Sequence, residues 1–363
     1  MNIAKATRKY EGWMAGHCAI VPGDLRTKHR LMRRNVFTFF RGAFYRWMQL
    51  WPSVCPDVAD APTVTAVGDL HVENFGTWRD AEGRLVWGVN DFDEAYPLPY
   101  TNDLVRLATS AFLASRKQKL AISPRVACDA ILDGYESALD KGGRPVVLAE
   151  RNGWLGAVAI EQLRDPRKFW NDLREGNQPA RPPVPIAALR QFLPKGDGPP
   201  TILDRQAGAG SLGRKRCVAI LDTAGGRIAR EAKAVVPSAV AWLRGDTSNR
   251  IYGPDTIRHA RRSHDPFLHF FTGSTGPGLS PDGWVVRRLA PDCIKIDMKD
   301  LPTSRDEPKL LRAMGWETAN VHFGAKKQAI LRDLRARRRR WLERAAGDMA
   351  DVVIEDWRAW RRR

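Results

Sequence analysis

Asp69, Asn74 and Asp91 are the residues of this 363-residue chain whose types and spacing could do chemistry together. An apolar approach (Val64, Ala66, Val67) leads into Gly68-Asp69, and Asn74 follows after a D-x-x-x-x-N interval. A carboxylate on a glycine-flanked turn can face a cleft and accept a proton from a hydroxyl, the work of a general base. Asn74 offers a neutral oxygen and Asp91 an anionic one, with Asp93 as a further candidate ligand. Hard oxygen donors of this kind suit a Mg²⁺ ion bridging phosphates. His71 offers either a structural hydrogen bond or a part in proton transfer.

The second stretch is Thr201–Ile220, TILDRQAGAGSLGRKRCVAI. Gly208, Gly210 and Gly213, with Ser211 among them, let backbone N–H groups approach a phosphate chain without Cβ interference. A strand-like run, Arg216–Leu221, follows the glycines where a dinucleotide-binding unit would need a helix, so that reading is disfavoured. Lys233 then lies in RIAREAKAVV (Arg227–Val236), which reads as a third strand. A buried lysine beneath a glycine-rich hairpin can hold the α- and β-phosphates of a nucleotide.

Other elements must position these groups. Asp80-Ala81-Glu82-Gly83 reads as a hairpin turn between strands ending at Trp78 and starting near Leu85, which folds Asp91 back towards Asn74. Residues 1–60 read as helical: Arg26–Leu50 carries Phe37, Phe40, Phe44 and Trp47 near a 3.6-residue period, core-facing, with a break at Gly42 and Arg41 as a candidate phosphate contact. Asn102–Ser115 has helical spacing with Asn102 as N-cap, and a further helix runs through about Pro124–Leu139. Gln178–Pro200 is rich in proline and basic residues, a composition that breaks regular structure, and reads as a linker or lobe crossing. Gly273–Gly283 reads as a loop, Trp284–Leu289 as a buried strand leading to a hinge at Ala290-Pro291, and Lys309–Gly324 as a helix with an apolar stripe. The last forty residues read as one or two amphipathic helices, with Arg337–Arg340 on a solvated, salt-bridged face.

Composition sets the outer limits. Hydrophobic residues at 43% describe a globular chain, no stretch approaches the apolar length needed to cross a bilayer, and the N-terminus lacks a secretory core, so a soluble cytoplasmic protein is expected. Five dispersed cysteines argue for reduced thiols and against a zinc site or disulfide frame. The net charge is +18, of which 13 Lys/Arg against 6 Asp/Glu from Lys326 onward supply +7. Such a field attracts polyanions without choosing among nucleotides, phosphorylated substrates and nucleic acid; the last is not favoured, because it leaves the Asp69, Asn74 and Asp91 set unexplained.

The GDLHVEN stretch (Gly68, Asp69, His71, Asn74) followed by DFD (Asp91, Phe92, Asp93) resembles the catalytic and metal loops of aminoglycoside and choline phosphotransferases, within the protein-kinase-like fold. That resemblance implies an α+β, two-lobed fold, ATP and Mg²⁺ as cofactors, Asp69 and His71 at the catalytic position, Asn74, Asp91 and Asp93 at the metal, and Gly208, Gly210, Ser211, Gly213 and Lys233 on the nucleotide. It also implies that Asp103, in NDLVRLATS, braces the catalytic loop. The parts stand in an unusual order, with catalytic and metal loops before the glycine-rich loop and lysine, so the resemblance implies a circular permutation. Its expected divisions are residues 1–177 as a helical lobe with the catalytic and metal loops, 178–200 as a proline-rich crossing, 201–300 as a β-rich nucleotide lobe, and 301–363 as helices returning to the first lobe.

Over most of the chain the pattern resembles DUF2252, a family of uncharacterised bacterial proteins, through FFRG, GDLHVENFG, NDFDEA, NDLVRLATS, GAGSLG, HDPFL and WVVRRL. The chain departs from the kinase pattern in having no Glu between Lys233 and Trp284 to pair with the lysine, so either Asp255 substitutes, or the lysine is held differently, or activity is weakened. The leading expectation is an ATP- and Mg²⁺-dependent phosphotransferase acting on an unknown hydroxyl acceptor, for which the basic charge suits an anionic one. The alternatives are nucleotidyl transfer on the same scaffold and a non-catalytic nucleotide sensor.

Overall fold

A computed structural model describes residues 1–118, 122–271, 283–296, 298, 301, 306–323 and 326–363. Among the described residues, helices are mixed with three open antiparallel sheets. Its strands are β1 (Thr63–Ala66), β2 (Phe75–Arg79), β3 (Leu85–Val89), β4 (Tyr96–Pro99), β5 (Val146–Val147), β6 (Gln178–Pro179), β7 (Thr201–Asp204), β8 (Arg216–Thr223), β9 (Gly226–Val235), β10 (His269–Phe271) and β11 (Gly283–Leu289). The largest sheet has the order β10-β11-β9-β8-β7-β6, the second β2-β3-β5, and β1 pairs with β4 alone.

The expected Asp80–Gly83 turn joins β2 to β3, and its register sets Phe75 opposite Val89, so the ends leading to Asn74 and Asp91 meet. Asp80 fixes the turn by accepting from the backbone N–H of Glu82 and Arg84. The glycine-rich segment lies between β7 and β8 with only a short 3₁₀ turn, Ala209–Ser211, and no following helix, as its sequence indicated. In β9, Lys233 stands opposite Arg216 of β8 and Val285 of β11.

Helices bury the remaining apolar surface. Phe37, Phe40, Phe44 and Trp47 fall on the short helices Val36–Gly42 and Phe44–Val54, whose break is at Ala43 beside Gly42, and all four are buried. The helices Pro124–Lys141 and Glu307–His322 pack so closely that a Cβ at Gly134 would overlap the Arg312 carbonyl and one at Gly315 would overlap that of Ile131. Glycine at both positions is therefore a condition of this contact.

Three expectations are corrected. Asn102 is no N-cap: the helix begins at Tyr100, and Asn102 is fully buried, accepting from Trp47 Nε1 at 3.0 Å and donating to the Gly68 carbonyl at 3.3 Å. Tertiary partners outcompete the local cap. The proline-rich stretch 178–200 is not structureless, since β6 pairs with β7 and the helix Ile186–Phe192 buries Ala188 and Leu189. Proline in β6 is tolerated because that strand forms the sheet edge. Arg337–Arg340 do not form a helix face but link the helices Lys327–Ala336 and Trp341–Arg361, with Arg337 paired to Asp333 and Arg340 to Glu343. The expected Gly273–Gly283 loop lies outside the described residues except for Gly283, which opens β11. Among the described residues no helix is long and apolar enough to cross a membrane.

Candidate active site

The turn after β1 is held from behind by Asp103. Its carboxylate accepts from the N–H of Val67 at 2.7 Å and Gly68 at 3.0 Å, and its Oδ2 lies 3.0 Å from His322 Nε2. Gly68 has φ +80°, and a Cβ there would overlap the Glu94 carbonyl, so only glycine makes this turn without strain. One residue on, Asp69 Oδ1 accepts from Arg106 Nε at 2.9 Å and also from Arg106 NH2. The Arg106 guanidinium is itself fully buried, 4.0 Å from the Phe40 ring centre and flanked by Phe44 and Trp47. Burial pushes the Asp69 carboxyl above its ordinary value, and Arg106 opposes that rise. With Oδ1 held by Arg106, Oδ2 is the oxygen that faces Gly210.

Asn74 ends a 3₁₀ turn, Val72–Asn74, and spends its Nδ2 on the carbonyls of Asp69 (3.0 Å) and Asp91 (3.5 Å). The group it can offer a ligand is therefore Oδ1. His71 is buried with its ring edge against Phe37, and its Nδ1 has no hydrogen-bond partner among the described residues. Burial and the nearby Arg41 charge hold it well below the usual histidine range, as neutral imidazole.

Asp91 and Asp93 meet the large sheet through Lys233. Its Nζ lies 2.6 Å from Asp93 Oδ2 and 3.3 Å from Asp91 Oδ1, and Arg214 NH2 approaches the same Asp93 oxygen at 2.9 Å. Burial opposes ionisation of Asp91, but the charges of Lys233, Arg287 and Arg214 outweigh it and hold the carboxyl well below the ordinary range. Asp93 is 8% exposed and committed to two cations, whereas Asp91 is 37% exposed. Of the alternatives for the lysine, Asp255 does not substitute, since it sits on the helix Gly253–His259 and pairs with Arg250 and Arg258; the lysine is held differently. Lys233 takes its counter-charge from Asp91 and Asp93 instead of from a helix carboxylate.

The glycine-rich loop lies over Asp69. Gly208 and Gly213 have left-handed φ of +72° and +103°, and a Cβ at Gly210 would come 3.8 Å from Asp69 Oδ2. The N-terminal helices clamp the loop: Lys28 Nζ donates to the Gly210 carbonyl at 3.0 Å, the Val21 N–H to that of Gly213 at 2.8 Å, and Gln206 Nε2 to Asp24 at 2.5 Å. Lys28 is pushed down to about 8 by burial, and Lys295, on the segment after β11, also to about 8 by burial and Arg41.

A cavity of about 250 Å³ opens between these parts. Asp69, His71, Asn74, Asp91, Asp93, Gly208, Gly210 and Ser211 line it; Gly213 and Lys233 do not, and Lys233 adjoins it through the two aspartates. Residues that the motifs did not single out line it as well, notably Lys28, Arg287 and Lys295, while Arg106 stands behind Asp69. Asn102, Asp103 and Arg106 share one face in the largely apolar first half of their helix, a signal that could have exposed Arg106; nothing local marks Lys28.

Among the described residues no group of three or more His, Cys, Asp or Glu could hold a metal by itself. A Mg²⁺ site completed by phosphate oxygens needs only one or two carboxylates. The accessible, ionised Asp91 and the Oδ1 of Asn74 fit that requirement.

No curated protein and no solved structure matches the chain. One family does, described as "Uncharacterized protein conserved in bacteria (DUF2252)", over residues 20–165 and 202–363. With most of its length matched, including the Gly68-Asp69 turn, the Asp91 stretch and the glycine-rich hairpin, the chain belongs to the DUF2252 family.

Proposed function

We propose that the chain is an ATP- and Mg²⁺-dependent phosphotransferase of kinase-like, circularly permuted architecture, acting on a hydroxyl acceptor. The observation that carries this reading is the convergence of Asp69, Asn74 and Asp91 under the Gly208–Gly213 loop in one cavity. Two further features support it. The glycine-rich hairpin is followed by Lys233 on the third successive strand, the order in which kinase-like folds hold a nucleotide. The end of the helix Glu307–His322 reaches the catalytic turn through His322 and Asp103, which is where a permuted chain needs it.

In this reading Asp69 Oδ2 accepts the proton of the acceptor hydroxyl, while Arg106 fixes the carboxylate by its other oxygen. Asp91 and Asn74 would hold Mg²⁺, which supplies charge neutralisation at the transferred phosphoryl group. Asp93 positions Lys233 and Arg214, and His71, neutral and buried, shapes the cavity wall. One observation favours a second reading: Lys233 is already paired with Asp91 and Asp93, as in a nucleotide sensor that binds without transfer. Mass spectrometry of acceptor mixtures incubated with protein, ATP and Mg²⁺ separates these readings. Products carrying an added phosphoryl group are expected; products carrying the nucleotide would replace this reading with nucleotidyl transfer, and bound ATP without product would replace it with the sensor.

A further inference from the structure

Glu231 lies in the middle of β9, two residues before Lys233, and is 1% exposed. Three arginines from three other segments converge on it. Arg216 NH1 of β8 donates to Oε1 at 2.7 Å, Arg287 Nε of β11 to the same oxygen at 2.9 Å, and Arg205 NH1, just past β7, to Oε2. Arg216 also donates through NH2 to Ser211 Oγ in the glycine-rich loop at 2.6 Å. All three guanidiniums line the cavity, whereas Glu231 stands behind them.

The charges do not balance. The arginines hold Glu231 ionised, well below the ordinary carboxyl range despite its burial, so three positive charges face this one carboxylate; Asp91, a further negative charge felt by Arg287, is itself paired with Lys233. Lys295 lines the same cavity and makes no ion pair among the described residues. Arg205 is depressed by burial and by its two arginine neighbours, against the pull of Glu231. Guanidinium nitrogens also remain: Arg205 Nε and NH2 and Arg287 NH1 have no protein acceptor among the described residues, and these side chains are 20% and 30% exposed. Crowded, partly desolvated guanidiniums in excess over their carboxylate form a binding site for a multiply charged oxyanion.

We propose that Arg205, Arg216 and Arg287, mounted on Glu231, are the grip on the polyphosphate chain of the ligand, and that Lys233 is a structural partner of Asp91 and Asp93. This assignment rests on the nucleotide reading above and sharpens it, because it moves the phosphate contacts from the lysine to an arginine set. Planar, fork-shaped donors match phosphate oxygens in pairs, which a lysine at the same place would not do.

The test is calorimetric titration of the full chain with sodium tripolyphosphate in metal-free buffer, with ATP as competitor. Wild-type protein binds tripolyphosphate, ATP displaces it, and the double variant Arg205→Gln/Arg287→Gln loses roughly tenfold or more in affinity. Should that variant fail to fold by circular dichroism, Arg287→Lys, which keeps a positive charge beside Glu231, decides the matter by a several-fold loss. Absence of tripolyphosphate binding in the wild type, or unchanged affinity in whichever folded variant is used, overturns the assignment. Arginine-dependent tripolyphosphate binding that ATP cannot compete for leaves the anion site standing and removes the nucleotide reading. ATP binding that survives in the folded variant leaves the nucleotide reading standing and removes these arginines from its polyphosphate chain.

Discussion

Two buried carboxylates organise the two sides of the cavity in opposite ways. Asp103, fully buried, spends its oxygens on the backbone N–H groups of Val67 and Gly68 and on His322. Glu231, buried to the same degree, spends its oxygens on three arginine side chains whose other faces line the cavity. The first is a frame: its partners are consumed in fixing the turn that carries Asp69. The second is a mount: Arg205 and Arg287 keep donor capacity, and the set keeps excess charge, for something that enters. A buried carboxylate is thus informative about function less by its burial than by whether its partners remain available.

The largest effect that could break this comparison is at Asp103. Asp103→Ala leaves two buried N–H donors and His322 without their acceptor, and a loss of about 3–5 kcal/mol is expected in urea unfolding. A loss below about 1 kcal/mol would mean that Asp103 is no frame. Next comes Asp69→Asn. Arg106 holds the side chain in place by Oδ1, so ATP affinity should persist while transfer falls by about 10²- to 10⁴-fold, measured as steady-state turnover. Unchanged turnover would remove Asp69 from the base position.

Glu94 links the two sides and sharpens the comparison through pH. Its Oε2 accepts from the Ala239 N–H at 2.7 Å and from Ser238 Oγ at 3.0 Å, yet burial and the Asp69 charge raise it to about 7 against the opposing pull of Arg214. As pH rises from the ordinary value of 4.5 towards 7, the unfolded chain loses this proton while the folded one retains it. This residue's contribution to stability therefore declines across that window and levels off above it. Glu94→Gln should flatten that part of the thermal-stability profile; an unchanged slope would show that Glu94 ionises normally in the folded protein. The smallest effect is at Asp255, whose pairs with Arg250 and Arg258 lie at the surface. Asp255→Ala should cost less than about 1 kcal/mol and leave ATP affinity within about twofold by titration. A large loss of affinity would return Asp255 to the lysine's side.

What the sequence disclosed follows the same division. Asp69, Asn74, Asp91 and the glycine-rich hairpin are legible because turn chemistry and short spacing fix their relation locally, and the β2–β3 hairpin then brings Asn74 to Asp91. Arg106 and Glu231 left periodic traces, a polar cluster on one face of a helix start and an i, i+2 pair with Lys233 on one strand face, that point to burial but not to partners. Lys28 and Lys295 left none, since they reach the cavity only when the N-terminal helices and the segment after β11 pack against it. The helix cap misplaced at Asn102 and the choice left open for the partner of Lys233 share one cause: local rules offer nearby candidates, whereas distant residues, Trp47 for Asn102 and Asp93 for Lys233, take these side chains.

The claim that this cavity is a metal-dependent nucleotide site is tested most directly by thermal unfolding of wild-type and Asp91→Ala protein with and without ATP plus Mg²⁺. A ligand that binds only the folded state raises the midpoint, by the equivalent of about 2.7 kcal/mol at one hundred times its dissociation constant. The account predicts such a rise in the wild type, its loss on adding a chelator, and its absence in Asp91→Ala. No rise at millimolar ATP in well-folded wild-type protein, or an equal rise in the variant, would contradict it.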